Sequence, residues 1–160
     1  MATEKLKFRL ELHATMWDKP PVAEILIGDK SYFKGDITTT EDKPTLIEFE
    51  HEFEEGKDHR LVIKRSGKGK NQTVVNDKGD LLKDQLLNIK SIEIDEIDIG
   101  ALVYEGTYTP DYPEPWATQQ RESGADLQES FKNVTRMGHN GTWQFKFASP
   151  FYMWLLENLY

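Results

Sequence analysis

The sequence predicts an all-β protein, an antiparallel β-sandwich of jelly-roll-like form with a short C-terminal helix. Apolar and polar residues alternate along many short segments, which is the pattern of strands with one buried face. Turn-forming residues separate these segments at intervals of roughly 8–12 residues, as in sandwiches. The 160 residues are enough to form one core, so we expect a single domain over residues 1–160.

The first half of the chain is predicted to contain five strands. In residues 5–12, leucines and Phe8 take alternate positions and charged residues fill the others. The turn Gly28-Asp29 joins the second and third strands, and residues 54–58 are expected to turn the fourth strand back into the fifth. The predicted strands are Lys5–Leu12, Val22–Ile27, Lys30–Lys34, Thr45–Phe53 and His59–Arg65.

The second half is predicted to add two longer strands and a hairpin. Leu86–Ile94 is rich in β-branched residues, which favour strands. Asp95-Glu96 separates it from a short partner strand at residues 97–99. After the turn Met137–Gly141, aromatic and polar residues alternate over Thr142–Phe147. Both regions therefore extend the antiparallel pattern of the first half.

Proline positions guide the prediction of the remaining segments of the second half. Three prolines stand in residues 104–121, and we expect an extended, partly polyproline-like arm there because proline disrupts helices. Ser123–Lys132 is compatible with a short helix. Ser149 and Pro150 are predicted as the N-cap and first position of an apolar terminal helix at residues 150–159.

Charge and composition exclude several classes of protein. Asp and Glu total 28 against 20 Lys and Arg, a net charge of −8. An acidic surface repels phosphate backbones, so we expect no nucleic-acid partner. No run of about 18 apolar residues predicts a membrane span, and residues 1–7 lack the apolar stretch of a signal peptide. We therefore expect a protein made in the cytoplasm, without a membrane partner. The absence of cysteine excludes disulfides and thiolate catalysis.

The sequence contains no motif that is typical of an enzyme, so a non-catalytic function is predicted. Gly-x-Ser-x-Gly, His-Glu-x-x-His and the phosphate-binding Gly-rich loop are all absent. The many carboxylates leave glycoside processing as a minor alternative, because accidental pairs of acids are expected among them. His51 and His59 face each other across the predicted hairpin, either as half-exposed strand residues or as two metal ligands.

Asp77, Asp80 and Asp84, which cluster around Gly79, are the candidate metal ligands. Calcium takes roughly six to eight oxygen ligands, commonly from Asp, Glu and carbonyl groups of loops. The spacing does not match an EF-hand, so an ordinary acidic turn and a calcium site both remain open. A second acidic cluster at residues 95–98 is interpreted as a solvated hairpin tip.

Four aromatic residues are the candidates for ligand binding: Trp17, Tyr108, Tyr112 and Trp116. Trp17 stands where the first strand ends, and the other three belong to the proline-rich arm. Exposed rings of this kind suit the apolar C–H faces of sugars when polar groups stand beside them. Three interpretations remain open: the rings pack on the protein's own core, they contact another subunit in an oligomer, or they bind a glycan.

Several of these segments resemble the calcium-dependent carbohydrate-binding modules of the xylan-binding type. The resemblance lies in Ala23–Lys30, in His59–Lys64 and in the segment Lys83–Asp95. It implies a β-sandwich that binds a glycan with calcium, and it places Asp84 at the position of a calcium-ligand aspartate. Ser66-Gly67 stand where the family has Asn-Asp, and the disulfide of many such modules is absent.

The whole chain is also similar to uncharacterised proteins of marine tailed bacteriophages. Residues 112–121 and 151–158 carry this resemblance. It implies assembly in the bacterial cytoplasm and incorporation into a virion. Two functions therefore remain: a glycan-binding module, or a structural or assembly protein of a tail fibre, baseplate or decoration, whose partners are other virion subunits. A phage tail domain that binds a host glycan would combine the two.

Overall fold

The computed structural model describes residues 2–15, 20–67, 74–75, 81–83, 85–99, 106–112, 114, 116–125, 127–132 and 134–159. Strands dominate these residues, and the two helices among them are short. The strands are β1 (Thr3–Thr15), β2 (Val22–Ile27), β3 (Lys30–Asp36), β4 (Thr45–Glu54), β5 (Asp58–Ser66), β6 (Val74–Val75), β7 (Leu81–Lys83), β8 (Leu86–Ile94), β9 (Ile97–Asp98), β10 (Thr107–Pro110), β11 (Phe131–Lys132), β12 (Arg136–Met137) and β13 (Gly141–Ala148). The helices are α1 (Trp116–Glu122) and α2 (Phe151–Leu159).

Two antiparallel sheets form the body of the protein. The first sheet has the order β12-β8-β1-β4, with β9 paired to β8, and the second has the order β11-β10-β13-β5-β2-β3. Strands β6 and β7 form a separate pair. The predicted antiparallel sandwich with a C-terminal helix is confirmed.

The core lies between the inner faces of the two sheets. Alternate residues of β1, from Leu6 to Leu12, are fully buried, and so are Leu61 and Ile63 of β5. Aromatic rings join the sheets, since Phe8 and Phe147 have ring centroids 6.3 Å apart. Burying one face of each strand removes apolar area from water at roughly 25 cal/mol per Å², which is the main stabilising contribution.

Strands β4 and β5 do not form the hairpin that the sequence predicts. Strand β4 pairs with β1 in the first sheet, whereas β5 pairs with β2 and β13 in the second. The chain crosses between the sheets through a turn in which Gly56 has a φ of 85°. Alternation shows that each strand has one buried face, but both sheets offer such a face. The pattern therefore does not determine which sheet receives the strand.

The proline-rich arm is extended only in part, and the helix predicted over Ser123–Lys132 is wrong. Thr107–Pro110 is strand β10, and the helix α1 then covers Trp116–Glu122, inside the predicted arm. All three prolines precede Trp116 in the sequence, so none of them interrupts α1. Gly124, with a φ of 95°, ends the helix, and its N–H donates to the Arg121 carbonyl at 3.1 Å.

The terminal helix α2 covers Phe151–Leu159, as the sequence predicts, but Ser149 is not its cap. The Glu4 side chain accepts the Phe151 N–H at 2.9 and 3.2 Å from its two oxygens. A carboxylate at this helix end also complements the helix dipole. Within the described residues, the buried Ser149 hydroxyl has no hydrogen-bond partner. Neither described helix has the length and apolar character needed to cross a membrane.

Candidate ligand-binding site

The segment that follows β10 and the loop that precedes β13 meet at one end of the second sheet. The Asp111 N–H donates to the Asn140 carbonyl at 2.6 Å. The Tyr108 hydroxyl donates to the His139 carbonyl at 2.5 Å and accepts the His139 N–H at 2.9 Å. Burial raises the pKa of Tyr108 to about 12, so this hydroxyl stays protonated. These bonds fix the backbone of both segments.

Close packing also fixes this end of the sheet. A Cβ atom on Gly141 would lie 2.4 Å from the Thr109 carbonyl oxygen. Only glycine allows β13 to begin this close to β10. The two strands therefore hold the adjoining loop against β10.

Three rings form an aromatic cluster here: Tyr112, Trp116 and His139. The Tyr112 and Trp116 centroids lie 5.1 and 5.6 Å from that of His139, and 6.1 Å from each other. The Tyr112 hydroxyl donates to the Gln128 carbonyl at 2.8 Å, which orients the ring. Trp116 is 38% exposed, so solvent reaches the cluster.

Of the four aromatic residues predicted to bind a ligand, the structure brings two together. Tyr112 and Trp116 come together through His139, whereas Tyr108 is only 4% exposed and belongs to the core. Tyr108 stacks on Phe131, with ring centroids 6.4 Å apart. Trp17 lies outside the described residues. Among the described rings of the prediction, those that a ligand can reach are therefore Tyr112 and Trp116.

The buried cation Arg65 holds the loop that contributes His139 to the aromatic cluster. Arg65 is 2% exposed, and one guanidinium nitrogen donates to the Asn140 side-chain oxygen at 3.0 Å. The other terminal nitrogen donates to the Gln85 carbonyl at 2.6 Å and to its side-chain oxygen at 2.7 Å. Charged hydrogen bonds of this kind are the stronger class in proteins. Arg65 thus ties β5 to the start of β8 and to the loop that carries His139.

A cavity of about 690 Å³, called here the end cavity, opens on the outer face of the second sheet beside the cluster. Asp111 and Asn140 line it, and each is the chain neighbour of a cluster residue. The remaining polar lining includes one row across five strands, in the order Thr109, Thr142, Lys64, Glu24 and Lys34. The cavity therefore offers hydroxyls, a carboxylate and ammonium groups next to exposed rings.

The predicted calcium ligands Asp77, Asp80 and Asp84 lie outside the described residues. Within the described residues, no three His, Asp or Glu side chains are grouped closely enough to hold a metal ion. The second acidic cluster has structural contacts. Asp95 accepts the Lys7 N–H at 2.8 Å and the Tyr152 hydroxyl at 3.2 Å, which ties the β8–β9 hairpin to β1 and α2.

His51 and His59 flank the Phe53 ring, and each ring centroid lies 4.6 Å from that of Phe53. His51 Nδ1 is 2.5 Å from the Tyr32 hydroxyl, and His59 Nε2 is 3.0 Å from the Glu54 carbonyl. Partial burial lowers the pKa of His51 below its ordinary value. These contacts are those of half-buried structural residues.

The sequence interpretation did not include His139, Asn140, Arg65 or Gln85. One signal was present in β5, where Arg65 continues the inward positions of Leu61 and Ile63. A cation on the buried face of a strand is uncommon unless it is paired. The contact between His139 and Tyr112, by contrast, joins residues far apart in the chain and has no local signal.

No protein-family model matches the sequence, and no curated protein matches it. Solved structures of vCBM60 are similar. One, in complex with galactobiose, has 9% identity and a TM-score of 0.48, and covers 87% of this chain and 96% of its own. Another is a selenomethionine form, described as linking two families of calcium-dependent carbohydrate-binding modules by circular permutation. It has 6% identity and a TM-score of 0.50, and covers 88% and 89%. At such identities the likeness shows the fold alone.

Proposed function

We propose that this protein is a non-catalytic carbohydrate-binding domain whose ligand lies on Tyr112 and Trp116 and extends into the end cavity. The observation that carries the proposal is a solvent-accessible aromatic cluster beside a polar cavity, whose lining residues Asp111 and Asn140 are the chain neighbours of Tyr112 and His139. Sugar rings pack their C–H faces on aromatic rings, and their hydroxyls bond to amides, hydroxyls and charged groups. The similarity in fold to vCBM60 supports this proposal.

We also propose that calcium contributes to binding through Asp77, Asp80 and Asp84. Three carboxylates within eight residues of sequence are a donor set of the kind that calcium prefers. Asp84 is the chain neighbour of Gln85, which is fully buried and bonded to Arg65, the residue that also holds Asn140 beside the cluster. When bound, the ion would neutralise the carboxylates and hold the loop in one conformation.

A glycan array, probed with the purified protein in calcium and in EDTA, tests both proposals. We expect binding that Trp116→Ala and Tyr112→Ala each reduce by about tenfold or more, because ring contacts contribute on the order of 1 kcal/mol beyond the area that they bury. Tyr152→Ala is the matched control, since this tyrosine is 50% exposed on α2, away from the cluster. Calcium dependence predicts that EDTA and Asp84→Ala abolish the signal.

Two results of the array would contradict these proposals. Binding that is equal in both buffers would remove calcium from the proposal and leave the aromatic cluster. Retention of no glycan in either buffer would overturn the carbohydrate-binding function.

The alternative is a virion structural or assembly protein, and one observation favours it. Tyr152, Met153 and Leu156 form an outward face of α2, and they are 50%, 60% and 63% exposed. A contiguous apolar face of this kind is typical of a contact with another protein. A protein that binds no glycan, but that light scattering finds as an oligomer, would favour this function.

A further inference from the structure

The outer face of the second sheet has a second cavity, called here the helix cavity, that the proposed function does not use. It has a volume of about 690 Å³ and lies where β5, β10, β11 and β13 meet helix α2. Three cations line it: Arg60, Lys132 and Lys146. Its lining includes no carboxylate. The helix cavity is therefore a positively charged site on a protein of net charge −8.

We infer that the glycan bound by this protein is acidic, and that Arg60, Lys132 and Lys146 hold its carboxylate or sulfate groups in the helix cavity. This inference rests on the proposed function, because it assigns the chemical class of the same ligand. It adds a second contact region to the aromatic cluster.

The strand register brings two of these cations together. Lys146 of β13 stands directly opposite Arg60 of β5. Like charges that face each other across neighbouring strands, at a spacing of about 4.8 Å between the strands, destabilise a sheet. Within the described residues neither side chain forms a salt bridge. An anion placed between them would turn this repulsion into two attractive contacts.

The other lining residues suit a saccharide. Trp154 and Asn158 of α2 provide a half-buried ring and an amide, and Thr107 provides a hydroxyl. Gln144 accepts from an Arg60 guanidinium nitrogen at 3.3 Å, which directs the guanidinium across the cavity. An arginine fork held in this way matches the two oxygens of a carboxylate or sulfate.

The two cavities can accommodate one chain. Gln144 lines both of them. Thr142 in the end cavity and Lys146 in the helix cavity are four positions apart on β13, or roughly 13 Å along the strand. A short oligosaccharide spans that distance, so a single chain can contact the aromatic cluster at one end and the three cations at the other.

The end cavity favours a saccharide over a nucleic acid. Glu24 stands between Lys34 and Lys64 in the strand register, and Asp111 lies on the same lining. Carboxylates accept hydrogen bonds from sugar hydroxyls, whereas they repel the closely spaced phosphates of a nucleic acid. The charges along the two cavities thus fit a ligand that carries both hydroxyls and separated anionic groups.

The test compares the affinities of charged and neutral forms of one backbone by titration calorimetry. Polygalacturonate is compared with its methyl-esterified form, and carrageenan with its desulfated form, so that the two arms distinguish carboxylate from sulfate. We expect one acidic form to bind more tightly than its neutral partner, with an affinity that falls as salt rises. The double variant Arg60→Gln/Lys146→Gln should weaken this binding by about tenfold or more. Lys5→Gln/Arg9→Gln, the same change of charge on the other sheet, is the matched control.

Three outcomes would overturn the inference: equal binding of charged and neutral forms, loss of affinity in the control variant as well, or equally tight binding of single-stranded poly(U). Neutral glycans that bind and depend on Trp116 would leave the proposed function intact while this inference falls. Acidic glycans that bind through Arg60 and Lys146 but are indifferent to Trp116→Ala would support the anionic site and contradict the aromatic one.

Discussion

The outer faces of the two sheets differ in how their charges are compensated. On the first sheet, Lys5 pairs with Glu50 at 3.1 Å and Arg9 with Glu93 at 4.0 Å. On the second sheet, Arg60 and Lys146 face each other, and the described residues give neither an ionic partner. The protein contains more carboxylates than cations, so a shortage of carboxylates does not explain why Arg60 and Lys146 have no ionic partner among the described residues.

This difference distinguishes a face whose cations are paired from a face on which two cations repel each other. Paired charges on the first sheet keep that surface solvated and contribute little to stability, as exposed ion pairs generally do. The second sheet combines unpaired cations, two cavities and exposed rings, an arrangement that lowers stability unless a ligand compensates it. This arrangement is the reason why we propose the second sheet as the side that binds a ligand.

The largest effect on stability is expected from Arg65, on the inner face of the second sheet. Among the described residues it is the one buried cation. Arg65→Met should lower the free energy of unfolding by about 3 kcal/mol, because oxygens of Gln85 and Asn140 would lose three hydrogen bonds from a charged donor. Glycan binding should fall as well, since Arg65 supports the loop of His139. Urea denaturation measures the stability. Arg60→Met, on the outer face of the same strand, should change it by less than about 0.5 kcal/mol. Equal effects of the two variants would contradict this assignment.

A smaller effect is expected from pH, and it belongs to the first sheet. Partial burial lowers the pKa of His13 in β1 and of His51 in β4. The unfolded chain therefore binds protons more readily than the folded one, and stability is lost as pH falls from about 6.5 through the lowered pKa values. His51→Gln should remove part of this loss, by less than about 1 kcal/mol. Urea denaturation between about pH 5 and 7 measures it, and an unchanged pH dependence in the variant would contradict it.

The sequence predicts individual strands and the terminal helix better than it predicts which of the two sheets a strand joins. Val22–Ile27 and Leu86–Ile94 were predicted to the residue, because β-branched composition and flanking turns are local properties. Terminal helix α2 was also predicted from a local apolar run. The β4–β5 crossover was missed, since both sheets bury one face of a strand. Helix α1 was missed because the three prolines led residues 104–121 to be predicted as an extended arm, although all three precede Trp116.

The candidate site was less accessible to sequence interpretation than the fold. Tyr112 and Trp116 were predicted as ligand-binding residues because aromatic rings in a proline-rich arm are expected to be exposed. Their partner His139 stands on a loop that only the pairing of β10 with β13 brings to them. The charge difference between the two outer faces likewise depends on register, because Lys146 and Arg60 become neighbours only when β13 pairs with β5.

The smallest effect is a difference in sign between the two faces. Lys146→Gln should raise the free energy of unfolding of the ligand-free protein by a few tenths of a kcal/mol, because it relieves the repulsion of Arg60. Lys5→Gln should lower it by a similar amount, because Glu50 loses its partner. Both effects should shrink as salt is added, since exposed charges are screened. Paired urea titrations at low and high salt measure them. Two losses of equal size would mean that Lys146 has a compensating partner in the ligand-free protein, and the distinction between the two faces would then no longer hold.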